Sequence, residues 1–137
     1  MKTAATLAMA FLFFAAPAHA APGMQIGKAI ENGRALFAHE TFGGNGRTCD
    51  ACHVNGGIGP GKTPDGKAIP SLGNAAAIFP RFSKRAGRVV TLEDQIRSCI
   101  RGGLQGNPPD GEQFVNLVSY VTSLSQGRAL DMDGKPD

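Results

Sequence analysis

The sequence is poor in several features that commonly define a protein class. Its 137 residues include only three cysteines, which cannot all pair with one another, so at least one thiol has no disulfide partner within the chain. No apolar run reaches the roughly 20 residues that a membrane-spanning helix needs, so no membrane span is expected. Neither sign of charge dominates, with 14 Lys and Arg against 11 Asp and Glu, and this balance is poor support for a nucleic-acid partner.

The first 20 residues have the pattern of a secretory signal peptide. Lys2 gives a positively charged start, residues 4–16 are apolar, and Ala18-His19-Ala20 matches an A-x-A cleavage site. We therefore predict a signal peptide over residues 1–20 and a single exported, periplasmic domain over residues 21–137.

Hydrophobic periodicity predicts helices and no strand of useful length. Apolar residues recur at helical spacing over residues 26–38, which predicts a first helix. Thr91 is an N-cap candidate for a helix that ends at Gly102, and a last helix is expected to begin at Asp110 and to be stopped by Gly127. The predicted fold class is all-α, with three to four short helices.

The segment Cys49-Asp50-Ala51-Cys52-His53 is a C-x-x-C-H sequence. Its two thiols match the separation of the two vinyl groups of haem, and the adjacent imidazole reaches the iron from the same side. A redox dithiol or half a zinc site would need an α/β scaffold or two further ligands at similar spacing, and neither is present. The motif predicts one covalent haem c bound through Cys49 and Cys52, with His53 as an axial ligand.

With this motif, the sequence resembles the class I c-type cytochromes, which implies a small helical fold wrapped around one haem. Gly33 and Phe37 resemble the family's contact between the first and last helices, and the expected partners are Phe114, Leu117 and Tyr120. Gly59 and Pro60 resemble the family's Gly-Pro turn, so the Pro60 carbonyl is expected to accept a hydrogen bond from the second ring nitrogen of His53. Such a bond orients the ring and raises its basicity.

The usual second iron ligand of this family is missing. An electron-carrying class I cytochrome places a methionine before the last helix, and here no methionine lies between His53 and that helix. Cys99 is the strongest candidate, because it lies on the apolar face of its helix and is unpaired in an oxidising compartment. The alternatives are His39, Met24, Met132, a lysine, an open site, or Cys99 as inert core packing.

A narrower resemblance covers residues 79–82, 87–99 and 114–127, which are similar to the haem domains of the SoxAX sulfur-oxidation complex and of tetrathionate-forming thiosulfate dehydrogenases. In those families the cysteine that matches Cys99 ligates the iron and can carry an extra sulfur. Members often have two haem domains or a partner subunit, whereas this chain has one haem motif. The resemblance therefore implies a redox partner protein, with a second cytochrome subunit as one form of it.

Three functions follow as alternatives. The first is a periplasmic electron-transfer cytochrome, acting in thiosulfate oxidation with Cys99 as distal ligand. The second is a sulfur-compound oxidoreductase or the haem subunit of one, and the third is a gas-binding haem protein with an open site. Basic residues could attract a small sulfur anion, pair with the haem propionates or a redox partner, or form a solvated basic face; they are Arg81, Lys84, Arg85, Arg88, Arg97 and Arg101.

Overall fold

A computed structural model describes residues 22–137, and the predicted signal peptide lies outside the described residues. The helices are α1 (Pro22–His39), α2 (Ala75–Ile78), α3 (Leu92–Gly102) and α4 (Gly111–Ser123). The strands are β1 (Gly61–Lys62), β2 (Ala68–Ile69), β3 (Arg81–Ser83) and β4 (Arg88–Val90). Within residues 22–137, no helix is both long enough and apolar enough to cross a membrane.

Most of the regular structure is helical, but the short strands correct the all-α prediction. They pair as two antiparallel hairpins, β1 with β2 and β3 with β4. Each strand has only two or three residues, which is too short to produce the alternation of apolar and polar residues by which strands are recognised. Glycines with positive φ, Gly66 at 83° and Gly87 at 66°, lie in the turns of the two hairpins.

The three long helices lie close to their predicted positions. Helix α1 begins at Pro22 rather than at residue 26, and α4 ends at Ser123, before Gly127. The capping of α3 is confirmed, because the Thr91 hydroxyl accepts a hydrogen bond from the Asp94 backbone while the Asp94 carboxylate accepts one from the Thr91 backbone.

Helices α1 and α4 cross in close contact at Gly33. A Cβ atom added to Gly33 would lie 1.9 Å from the Asn116 carbonyl oxygen and 2.7 Å from the Tyr120 Cβ. One turn further along α1, the rings of Phe37 and Tyr120 meet edge to face with centroids 5.3 Å apart. The predicted contact between the first and last helices is therefore confirmed, and Asn116 is an unpredicted part of it.

The apolar core lies between the long helices and beside the C-x-x-C-H segment. The side chains of Phe37, Ile100 and Leu117 are almost completely buried and come from α1, α3 and α4. Cys49 packs against this core. The core residues are Phe37, Phe42, Ala75, Leu92, Ile100, Leu104, Leu117, Tyr120 and Val121. The C-x-x-C-H segment therefore packs against the apolar core.

Candidate functional site

The C-x-x-C-H segment folds into one tight turn. Residues Cys49–Ala51 form a 3₁₀ turn, and the Cys49 carbonyl accepts hydrogen bonds from the backbone of Cys52 at 3.2 Å and of His53 at 2.9 Å. The Asp50 carboxylate accepts a further bond from the Gly56 backbone at 2.9 Å. These bonds hold both thiols and the imidazole within a single turn of chain, and neither thiol is in a disulfide.

His53 has the features of a ligand held ready for a metal. Its ring packs against Phe37, with centroids 6.3 Å apart. Burial lowers the pKa of His53, which favours the neutral imidazole that binds metals. Within residues 22–137, its Nδ1 is the one buried side-chain nitrogen or oxygen without a hydrogen-bond partner. Burying a nitrogen without a hydrogen-bond partner costs free energy. The surroundings of His53 therefore fit a bound group that orients the ring so that this nitrogen gains a partner.

The loop after His53 lies directly on the backbone of the motif. A Cβ at Gly61 would lie 1.7 Å from the Cys52 carbonyl oxygen, so only glycine allows this approach. Pro60 lies beside it in sequence and is exposed. The hydrogen bond expected from His53 to the Pro60 carbonyl is not formed in this structure, because Nδ1 has no partner. The contribution of Pro60 to cofactor binding stays a prediction.

Cys99, on α3, lies near both cysteines of the motif. Burial raises the pKa of Cys49 to about 12, and electrostatic repulsion from Cys99 is the next largest cause. Repulsion from Cys52 likewise contributes to the raised pKa of Cys99, whose main cause is burial. Such repulsion acts between the ionised forms of the cysteines. Cys49 also packs against the same apolar core as Ile96 and Ile100, the neighbours of Cys99 on α3, although these residues are 47 or more positions away in the sequence.

The Cys99 side chain is accessible, although it has many protein neighbours. The residue is exposed, while the adjacent Ile100 is 1% exposed and belongs to the core. Desolvation nevertheless raises the pKa of the Cys99 thiol. An exposed thiol beside the core is accessible to a ligand. This position does not support the alternative that Cys99 is inert core packing.

The other candidate iron ligands lie in less suitable surroundings. Met24 is 66% exposed on the first turn of α1, and Met132 is 59% exposed in the C-terminal tail. His39 lines a surface groove between α1 and α4, together with Glu112 and Asn116. Among residues 22–137, no group of three or more His, Cys, Asp or Glu side chains could hold a metal ion, so a zinc centre built by the protein alone is not supported.

Arg97 connects the helix of Cys99 to the last helix. Its guanidinium lies 3.7 Å from the centre of the Phe114 ring, and its Nη1 donates hydrogen bonds to the Pro109 carbonyl at 3.4 Å and to Asp110 at 3.5 Å. The sequence suggested Arg97 as part of an anion funnel beside Cys99. In the structure the Arg97 guanidinium contacts an aromatic ring and the start of α4. These contacts stabilise the packing of α3 beside α4.

Gln95 is a site residue that the sequence reasoning missed. Its Nε2 donates a hydrogen bond to the Cys99 Sγ at 3.3 Å. The signal was available, because positions four apart on a helix lie on the same face. Gln95 precedes Cys99 by one helical turn, and both side chains are exposed.

Comparison with known families identifies one match that covers most of the chain. The sequence model of the SoxA/TsdA cytochrome c domain matches residues 32–130. The matched region contains the C-x-x-C-H segment, the Gly-Pro turn and Cys99.

Curated relatives and a solved structure agree with this match. A thiosulfate dehydrogenase of Allochromatium vinosum is 31% identical over 115 residues, covering 77% of this chain and 41% of that protein. The L-cysteine S-thiosulfotransferase subunit SoxA of Hydrogenobacter thermophilus is 29% identical over 103 residues, covering 74% and 36%. The as-isolated thiosulfate dehydrogenase TsdBA from Marichromatium purpuratum has a similar fold, with a TM-score of 0.60 at 21% identity, covering 85% of this chain and 26% of that one. The chain spans about two-fifths or less of the length of these relatives.

Proposed function

The chain belongs to the SoxA/TsdA cytochrome c domain family and so binds haem c, and we propose that it is a periplasmic electron-transfer cytochrome of thiosulfate oxidation in which His53 and Cys99 ligate the iron. The proposal includes cleavage of a signal peptide after residue 20, leaving residues 21–137 as the mature domain. Cys49 and Cys52 would hold the haem through thioether bonds.

The attachment segment suits this role chemically. Cys49 is half-buried, and desolvation raises its pKa to about 12, so the thiol remains uncharged, as the thioether sulfur that it would become is uncharged. The neutral imidazole of His53 supports its assignment as an axial ligand, and its unpartnered buried Nδ1 is free to donate to a carbonyl such as that of Pro60. Pro60 would orient that ring through its carbonyl once the haem is bound.

The observation that carries the assignment of Cys99 is its exposed position on α3 next to Ile100, which belongs to the apolar core that Cys49 packs against. A thiolate opposite His53 would donate electron density to the iron and favour the ferric state more than methionine does. An accessible thiol beside the core of the motif favours a ligated iron over the open site that a gas-binding protein needs.

Two properties support a partner protein. Joining two thiosulfate ions through a new S–S bond releases two electrons, whereas one haem accepts one electron at a time. A redox partner that removes each electron, such as a second cytochrome subunit, is therefore needed. The relatives include a protein named as a subunit and one named TsdBA, and this chain spans only part of their length.

The charge around α3 is suitable for attracting a small sulfur anion. Between Gly66 and Leu92 the sequence has no acidic residue, and its cations lie mainly on the β3–β4 hairpin, which leads directly into the helix of Cys99. A positive surface of this kind raises the local concentration of anions. This charge favours, as a second candidate function, a sulfur-compound oxidoreductase or the haem subunit of one.

Low-temperature electron paramagnetic resonance of the ferric holoprotein tests the ligand assignment. Wild type should give a low-spin signal typical of thiolate ligation, Cys99→Ala should lose it, and the neighbouring Ser98→Ala should keep it. His53→Ala should fail to give a stable holoprotein. Identical spectra for wild type and Cys99→Ala would refute Cys99 as ligand.

The role in sulfur chemistry is tested by adding thiosulfate to the oxidised holoprotein and recording its visible spectrum. Reduction of the wild-type haem, and none in Cys99→Ala, would support thiosulfate as the electron donor. A wild-type haem that stays oxidised would contradict direct electron transfer from thiosulfate and leave a cytochrome that receives electrons from another protein.

A further inference from the structure

The Cys99 sulfur has one polar side-chain neighbour that the proposed function does not use. Gln95 lies one turn earlier on α3, and its Nε2–H donates to the Cys99 Sγ across 3.3 Å. This is the one side-chain hydrogen bond of Gln95 found among residues 22–137. The glutamine amide has no other role in the fold that would explain its orientation toward the sulfur.

Two other polar residues of α3 near Cys99 are engaged elsewhere. Asp94 takes part in the capping box with Thr91 and in an ion pair with Arg88. Arg97 is stacked on Phe114. Among residues 22–137, Gln95 is the side chain that donates a hydrogen bond to the Cys99 sulfur.

A hydrogen bond to a thiolate has two physical effects. It favours the charged form of the sulfur, and the Gln95 Nε2–H lies within reach to do so here. It also withdraws electron density from the sulfur. The sulfur then donates less electron density to a bound metal, and the reduction potential of that metal rises. In addition, the bond restricts the rotation of the cysteine side chain.

Resting on the proposed ligation of the iron by Cys99, we propose that Gln95 is a positioning residue, whose amide N–H orients the Cys99 sulfur and raises the reduction potential of the haem. Gln95 does not touch the iron and acts only through the sulfur. Loss of the donor leaves a more strongly donating thiolate, which stabilises the ferric form.

The test compares four variants of the purified holoprotein by redox titration and by low-temperature electron paramagnetic resonance. Gln95→Met removes the donor at similar volume and helix propensity, and Gln95→Arg keeps a donor at the same place. Ser98→Ala is the control for an exposed change next to Cys99, and Cys99→Ala tests the ligand itself.

The expected result is a lower midpoint potential in Gln95→Met. At the wild-type midpoint, the ferric form of this variant should exceed the ferrous form by roughly threefold to tenfold, as the loss of one hydrogen bond predicts. Its ferric signal should remain thiolate-type with shifted g values. Gln95→Arg should have a midpoint at or above that of wild type, and Ser98→Ala should match wild type.

The outcomes separate the two proposals. If Cys99→Ala retains the wild-type signal, both the ligand assignment and the role of Gln95 are wrong. If Cys99→Ala loses the signal while Gln95→Met keeps the wild-type midpoint and g values, the ligand assignment stands and the role of Gln95 is refuted. A shift in Ser98→Ala as large as that in Gln95→Met would also refute it, because the effect would then not depend on the donor.

Discussion

Replacing Gly33 with alanine tests whether the crossing of α1 and α4 depends on the absence of a side chain. The added Cβ would lie 1.9 Å from the Asn116 carbonyl oxygen, 2.6 Å from its carbonyl carbon and 2.7 Å from the Tyr120 Cβ. None of these atoms can move by a rotamer change, because two belong to the backbone and the third is attached to it. The strain must therefore be relieved by separating the helices.

The size of the effect follows from these distances. Ordinary contact begins at 3.4 Å, so the closest pair must separate by about 1.5 Å. A gap of this size removes about half or more of the dispersion energy across the contact, where Phe37, Leu117 and Tyr120 are buried. Overpacking of this kind costs about 1–3 kcal/mol, and alanine recovers up to about 1 kcal/mol in helix propensity. Because the obstructing atoms are rigid, the overpacking cost lies at the upper end of this range, and we expect the free energy of unfolding to fall by about 2 kcal/mol.

The assay is thermal unfolding of the holoprotein, followed by far-ultraviolet circular dichroism. A loss of about 2 kcal/mol should lower Tm by roughly 8 °C in a domain of this size. Gly27→Ala is a matched control on the same helix, because a Cβ at Gly27 would have no atom within 4 Å. That variant should be as stable as wild type or slightly more stable. If Gly33→Ala is as stable as Gly27→Ala, the proposed close crossing is wrong.

Three further predictions concern other parts of the molecule. Cys99→Met should raise the midpoint potential of the haem, because methionine donates less electron density than a thiolate; an unchanged redox titration would contradict the ligand assignment. Tyr120→Phe should lower the free energy of unfolding by about 1 kcal/mol in denaturant titration, because it removes the 2.8 Å hydrogen bond to the Gly56 carbonyl, and it should leave the haem spectrum unchanged. Thr91→Ala should lower the same free energy by about 1 kcal/mol by removing the cap of α3, whereas the exposed Thr122→Ala should have a smaller effect; equal losses would argue against the capping box.

The elements that were predicted correctly have local causes. The cap of α3 depends on two side chains three positions apart, and the apolar stripe of α1 on spacing within a few turns, so both can be read from short windows of sequence. The short strands were missed because hairpins of two or three residues have no readable periodicity. Their position is set by tight turns at Gly66 and Gly87 and by packing of the chain around them.

In the candidate site, too, the features that could be predicted are those with a local cause in the sequence. The C-x-x-C-H spacing alone predicts haem attachment through Cys49, Cys52 and His53, because the chemistry occurs within five consecutive residues. The absence of a methionine before α4 also follows directly from the sequence. Both conclusions concern residue types and their local spacing, which folding does not change.

Only the tertiary structure decided what surrounds that motif. The packing of Cys49 against the same core as Ile96 and Ile100 of α3, and the engagement of Arg97 with Phe114, depend on how α3 packs against the rest of the chain. Contacts between distant segments are set by the crossing of helices, and here that crossing depends on the space left by a missing side chain at Gly33. The sequence by itself determined the chemistry of the attachment, and the packing of the helices decided which other side chains can act on it.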